Sequence, residues 1–529
     1  MDRKENNSLE ISKFSGEWTQ RHASHLLRRT LFGPKISELK VASTLGLDAT
    51  VERLFETQSM PSPPLNSQFD GDPNTPIGET WINNPFVPGS EFHRKKSFRS
   101  WWLNQIRTQS MSIREKMVLF WSNHFAIELD VANDTRGAYE LNDLYRKRAT
   151  GNFRTLVEEV TVSQAMLIYL NGNTNRNGAP NENYARELLE LFSIGKGPLI
   201  GEGNYTNYTE DDIQEAARVL SGFRTEKNPD KKVYYVTNRH DKGQKVFSSA
   251  FDNQVIENEE DEEYKTLIGM IFSKEETAKH ICRKLYRWFM FYDISDEIEE
   301  KIIAPMATSL RDNNFEISAP LKLLLSSEHF YDTDMMGAYL KSPVEFNAGF
   351  LRQLEVEFPD ESLLKAYYNL HYSSYQSQTV QQQNLTDPPD VAGWKAYYQA
   401  PAYNRGWISP TTLSERGKFI DKLLGSGYKN QGEIINVNPL NILKQLDKPE
   451  DPNVVVSGFA DLLLPVPIST DELEELKEAL IPGLPDFEWT VEYEDYANDP
   501  NNSTKKSAIQ SKLLSMLKVL TANPSLHLI

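Results

Sequence analysis

The strongest constraint on what this chain can fold into is a hydrophobic repeat of 3.6 residues that returns along most of its length. In PNENYARELLELFSIG, Pro180 to Gly195, the residues Ala185, Leu188, Leu189 and Phe192 recur three and four apart and share one helical face. The same repeat is legible in EWTQRHASHLLRRTLF, ISELKVASTLG, DATVERLFET, KKSFRSWWLNQIRTQ, SIREKMVLFWSNHFAIE, RGAYELNDLYRKRAT, FRTLVEEVTVSQAMLIYL, YTEDDIQEAARVLSGF and EETAKHICRKLYRWFMFY. Strand-like alternation is confined to KKVYYVTN beside GQKVFSS. The expected fold is mostly α: a large multi-helix single domain with long ordered loops and a small β-hairpin element near 230–250.

Punctuation signals divide the repeat. Gly33-Pro34 stops the first helix. Ser112 reads as an N-cap with Glu115 as its capping-box partner, and Thr209 with Asp212 repeats the pattern before a helix ending at Gly222. Residues 1–429 read as a helical core with loop insertions at 59–90 and 224–262. Residues 430–505 read as an acidic peripheral elaboration, and 506–529 as a C-terminal helix packing back on the core.

A hydrophobic content of 39% and an aromatic content of 11% provide for a sizeable core. Lys plus Arg number 57 against 75 Asp plus Glu, a net charge of −18 that disfavours nucleic acid and anionic membrane as bulk partners. No window approaches ~18 uninterrupted apolar residues, so no membrane span is expected. The single cysteine, Cys282, excludes an intramolecular disulfide and reads as a buried thiol. The polar N-terminus has no apolar export signal, so the expected location is cytoplasmic.

Eight stretches occur in one order: HLLRRTLFGP, REKMVLFWSNHFA, PNENYARELLELFSIG, YTEDDIQEAARVLSGF, HDKGQK, CRKLYRWF, SPVEF and DPPDVAGW. From about residue 18 to the C-terminus the chain resembles the bacterial family called domain of unknown function 1800. That family often reads WHNHF where this chain has Ser122 in WSNHF, so a two-histidine metal site does not carry over. The family often accompanies domain of unknown function 1501, which is similar to alkaline phosphatases and sulfatases and often bears an export signal. The resemblance thus implies a phosphatase/sulfatase-like protein partner, and a second route to the cell envelope, bound to that partner.

The candidate site residues follow from charge placement. Glu182, Arg186 and Glu190 are spaced i, i+4, i+8, which makes a ladder of ion pairs the plain structural reading. Glu187 and Glu190, one turn apart at the edge of the apolar stripe, have the spacing to hold a divalent cation or to divide acid and base roles. His124 sits in an apolar stripe, which usually means a hydrogen-bonded core histidine, but Asn123 and Glu128 flank it with polar groups. His240 and Asp241, joined to Lys245 through Gly243, form either a charged turn or a cation site. His25, Arg28 and Arg29 read as a charge cluster at a helix C-terminus, or as an anion site. Trp394 and Tyr397 read as a structural plug or as a rim that stacks on a ligand.

Two functions are expected from these features. The first is a non-catalytic accessory scaffold that binds a partner through loops 59–90, 171–181 and 387–409, with Asn181 and Glu182 at the rim. The second is a metal- or carboxylate-dependent enzyme. His124, Glu187, Glu190, His240 and Asp241 would hold a divalent metal ion, Arg186 would join the catalytic set, and the Asn171–Asn181 loop would add carbonyl ligands. No Walker A loop, dinucleotide fingerprint, HExxH or GxSxG is present in the chain.

Overall fold

In the computed structural model, which describes residues 11–201, 204–226 and 232–529, the chain is 57% helical, with four two-stranded antiparallel sheets among the described residues. The helical periods therefore set the architecture. The first helix, Gln20–Thr30, stops before Gly33, whose φ of 87° lies in the left-handed region. ISELKVASTLG and DATVERLFET run together as Ile36–Leu54, broken at Gly46 with φ 79°. FRTLVEEVTVSQAMLIYL divides into Phe153–Thr161 and Gln164–Tyr169. One hydrophobic cluster runs from the first of these helices to the last.

Two local expectations are corrected. Strand Lys232–Tyr235 pairs with Phe223–Glu226, whereas Lys245–Val246 pairs with Val255–Ile256. Each strand pairs with the next strand along the chain. Lys231 lies outside the described residues. Ser112 does not cap with Glu115, because the helix begins at Arg114 behind Ile113 and Glu115 forks onto buried Arg146 at 2.6 and 2.8 Å. The Thr209–Asp212 capping box forms as read.

Distant motifs are joined by buried polar contacts. Lys116 of REKMVLFW pairs with Glu345 of SPVEF, both buried, and Glu345 also caps its own helix by accepting from the Ser342 amide at 2.7 Å. Asn123 of WSNHF accepts from the Trp394 amide of DPPDVAGW at 2.8 Å. The loop comes so close that a Cβ on Gly393, at φ 90°, would lie 2.3 Å from Asn123 Oδ1. Buried Arg28 donates to the carbonyls of Asp461, Leu462, Leu463 and Leu464, which ties the N-terminal helix to the end of helix Pro452–Leu463. These carbonyls have no partner within their own helix, and a cation there also meets the negative end of the helix dipole. The last helix, Ser503–Leu520, packs on Thr470–Leu480, and beyond it His527 stacks on Phe346 with rings 5.1 Å apart.

The long loops are ordered by the same means. In 59–90, Asp72 pairs with Arg94 at 2.6 Å, both 3% exposed, and Trp81 is buried on helix Glu91–Thr108. No helix among the described residues is long and apolar enough to cross a membrane.

The Lys116–Glu345 pair yields a stability prediction. Lys116→Met leaves the Glu345 carboxylate buried and uncompensated, which should cost about 3–5 kcal/mol in denaturant unfolding. Adding Glu345→Gln should recover part of that loss. A single variant within about 0.5 kcal/mol of wild type would show that the pair holds nothing together.

Candidate functional site

PNENYARELLELFSIG folds as an α-helix over Asn183–Glu187 that widens into a π turn over Leu188–Phe192. Leu188, Leu189 and Phe192 are fully buried with Ala185, as the apolar stripe requires. The wider turn changes which charges meet. Arg186 pairs with Glu182 at 3.2 Å and forks onto Glu210 at 2.8 Å, so the expected Arg186–Glu190 rung is absent and Glu190 pairs with Lys196 at 2.6 Å. Chain reversal beyond the π turn uses Gly195 at φ 73°, where a Cβ would meet the His280 ring at 2.5 Å.

The end of this turn presents two carbonyls to buried His124 and to half-buried Lys284 and His280. His124 Nε2 lies 3.1 Å from the Phe192 oxygen, so it carries the proton and donates. His124 Nδ1 then accepts from Lys284 Nζ at 3.2 Å, and Lys284 also donates to the Leu191 oxygen at 2.7 Å. His280 Nε2 reaches the same oxygen at 3.3 Å. Burial, then Lys284 and His280, holds His124 well below its ordinary pKa, and burial with Arg287 pushes Lys284 down to about 7. Both ring nitrogens of His124 are thus engaged, and neither has a lone pair free for a metal.

Glu187 belongs to a different group. Its carboxyl makes no hydrogen bond among the described residues. Burial, then the neighbouring Glu190, pushes it up to about 7, and Asp390 adds to the effect. Tyr208 donates to Glu190 at 3.4 Å, and Tyr169 donates to Glu128 at 3.1 Å. The Tyr169 hydroxyl is held above its ordinary pKa by burial, Glu128, Asp390 and Glu187, which places these carboxylates in one acidic field.

The turn His240–Lys245 forms a third, separate group. His240 Nε2 meets Glu263 at 2.8 Å and Lys245 meets the other Glu263 oxygen at 2.6 Å, with all three side chains fully buried. Asp241 is held by the Arg218 fork at 3.0 and 3.1 Å. Among the described residues no hydrogen bond or ion pair links His124, the Glu187–Glu190 pair and the His240–Asp241 turn. Among the described residues, no group of three or more His, Cys, Asp and Glu side chains is placed to hold a metal ion.

The remaining candidates are placed as follows. Trp394 and Tyr397 are buried rather than at a rim, and Tyr397 packs on Trp288 with ring centroids 4.2 Å apart. His25 donates to Phe330 O at 3.0 Å and Arg29 to Met335 O at 2.9 Å, so with Arg28 the cluster binds backbone and not an anion. Cys282 is buried, and burial pushes its thiol pKa up. Carbonyls of Asn173 and Asn175, expected as ligands, are taken by Arg224 at 2.6 and 2.9 Å.

Motif order, mutual contacts and helical content decide the family. A family model, Protein of unknown function (DUF1800), matches residues 25–492. The chain belongs to the DUF1800 family. Comparison with curated proteins and with solved structures gave no match. The DUF1800 motif REKMVLFWSNHFA thus meets both SPVEF and DPPDVAGW inside the fold.

What the periodicity did not single out is a groove of about 810 Å³ between the 171–183 segment and the hairpin of strands Phe223–Glu226 and Lys232–Tyr235. Asn181 and Glu182 line it, as do Arg176, Arg224 and Arg239. Lys284 and Asp390 were also missed, although both lie inside quoted motifs. A cation on an amphipathic helix and an acid that follows two prolines carry no sequence mark of the groups they will meet.

The raised Glu187 carboxyl gives a pH prediction. Its folded pKa of about 7 exceeds the usual 4.5, so between these values the folded state keeps a proton that the unfolded state has lost. Stability therefore falls as pH rises through that window and levels off above it. Glu187→Gln should match wild type near pH 4 and exceed it by about 1 kcal/mol at pH 8, after allowance for solvent screening. Equal stability of the two across the range would mean that Glu187 titrates as an ordinary exposed carboxylate.

Proposed function

We propose that this protein is a non-catalytic helical scaffold that binds a protein partner through the surface around residues 171–192. One observation supports this above the rest: the polar residues of its motifs satisfy one another or the backbone. His124 and Lys284 close the π turn, Asn123 holds the Trp394 loop, His240 and Lys245 hold Glu263, and Asp241 holds Arg218. A general acid or base must reach the proton it transfers, and the polar atoms named here are committed to partners within the fold. The partner class that the family association implies is a phosphatase/sulfatase-like protein of the domain of unknown function 1501 family. The chain then works where its partner does: in the cytoplasm, or in the cell envelope if exported bound to that partner.

A second reading, acid–base chemistry at the Glu187–Glu190 pair, is favoured by one fact, the unpartnered Glu187 carboxyl pushed up to about 7. Its proton would be available for donation near neutral pH.

Affinity-tagged full-length protein, purified from its native host, should retain one protein at near-stoichiometric yield, and Glu187→Gln should retain it equally. Recovery of the chain alone, together with a hydrolytic or lyase activity abolished by Glu187→Gln, would favour the enzyme.

A further inference from the structure

The groove beside the asparagine-rich loop carries an excess of positive charge that the rest of the molecule does not explain. Four buried arginines meet carboxylates, Arg94 with Asp72, Arg136 with Asp134, Arg146 with Glu115 and Arg352 with Glu38, while Arg28 and Arg29 meet backbone oxygens. Arg224 is 9% exposed and has no carboxylate partner among the described residues. Its Nη1 donates to the oxygens of Asn173, Asn175 and Phe223, while its buried Nη2 has no hydrogen-bond partner among the described residues. The nearest cations are Arg239 and Arg176, and burial together with these two lowers the Arg224 pKa from its ordinary value.

Arg176 and Arg239 are exposed and form no ion pair or side-chain hydrogen bond among the described residues. Glu182 is the one carboxylate among the described lining residues, and Arg186 holds it at 3.2 Å. Three guanidinium groups thus line one groove with no carboxylate partner among the described residues, in a chain whose net charge is −18. Ionic screening decouples that net charge from a local patch beyond a Debye length of about 10 Å at 0.1 M salt, so the groove acts on a ligand by its own field.

We propose that this groove binds an acidic peptide segment of the protein partner. The site deepens the scaffold reading and rests on it for the source of the peptide. Arginine forks match carboxylate geometry in pairs. At the 171–183 edge, the Asn183 side-chain amide makes no hydrogen bond among the described residues, and its donor and acceptor suit a peptide unit. Tyr234 stands across the strand pair from Arg224, is 40% exposed, and gives an apolar wall for the peptide's side chains. A volume near 810 Å³ exceeds what a lone inorganic anion fills and suits a few residues of extended chain.

The test uses the full-length chain, a fluorescein-labelled decapeptide of glutamate, a glutamine decapeptide as neutral control, and inorganic phosphate as competitor. The glutamate peptide should bind with half-saturation below about 1 mM at low salt, weakening as salt rises, and the glutamine peptide should not bind. Arg176→Glu with Arg239→Glu should weaken binding more than about tenfold. Arg21→Glu with Arg311→Glu, the same charge change at exposed positions elsewhere, should leave it within about twofold. Both arginines of the groove pair are exposed, so an unchanged melting temperature shows that the variant is folded. Equal weakening by both double variants would overturn the proposal, as would phosphate displacing the peptide at equal concentration. The two readings separate in the capture experiment. A host partner retained equally by the groove variant overturns the acidic-peptide groove and leaves the scaffold standing. Groove-dependent peptide binding with no partner captured supports the groove and overturns the scaffold.

Discussion

Donation from basic side chains to backbone carbonyls is the interaction on which the rest of this fold depends. A mostly helical chain ends many helices inside the protein, and each end leaves carbonyls with no intrahelical partner. Arg28 closes the end of helix Pro452–Leu463, Lys284 with His124 and His280 closes the π turn, and Arg352 donates to Gln109 beyond helix Glu91–Thr108. Hydrogen bonds to charged groups contribute about 1.5–3 kcal/mol each. Removing one donor also leaves a buried acceptor unsatisfied. These contacts join segments 68 to 434 residues apart, so they act as long-range staples in a chain whose one cysteine cannot form an internal disulfide.

This pattern explains why the motifs look catalytic in sequence. Histidine, lysine and arginine near glutamate and aspartate are what an active site uses, and they are also what closes helix ends and pairs buried charges. The difference lies in which atoms remain free. Among the described residues, His124 has both nitrogens occupied, whereas the Glu187 carboxyl is unengaged and Arg176, Arg224 and Arg239 have no carboxylate partner. The functional proposals rest on those unengaged groups.

The helices, their apolar faces and the Thr209 cap were legible in sequence, because periodicity and capping are local. The burial of Cys282 and the plug formed by Trp394 also follow from neighbouring apolar residues. What was not legible is non-local. The π turn at Leu188–Phe192 shifted the charge ladder by redirecting Arg186 to Glu210, a residue with no sequence tie to it. The hairpins paired by chain reversal rather than by likeness of pattern. The cationic groove draws single arginines from three segments, and no window of sequence contains them together.

The central claim is that the motif residues hold the fold rather than act on a ligand, and parallel unfolding and partner-binding measurements on Asn123→Ala, His124→Ala and His240→Ala test it most directly. The account predicts that each variant loses about 1–3 kcal/mol of stability, while the protein that remains folded binds the captured partner as wild type does. Any of the three that keeps wild-type stability yet loses the partner, or loses a bound metal ion, would contradict it.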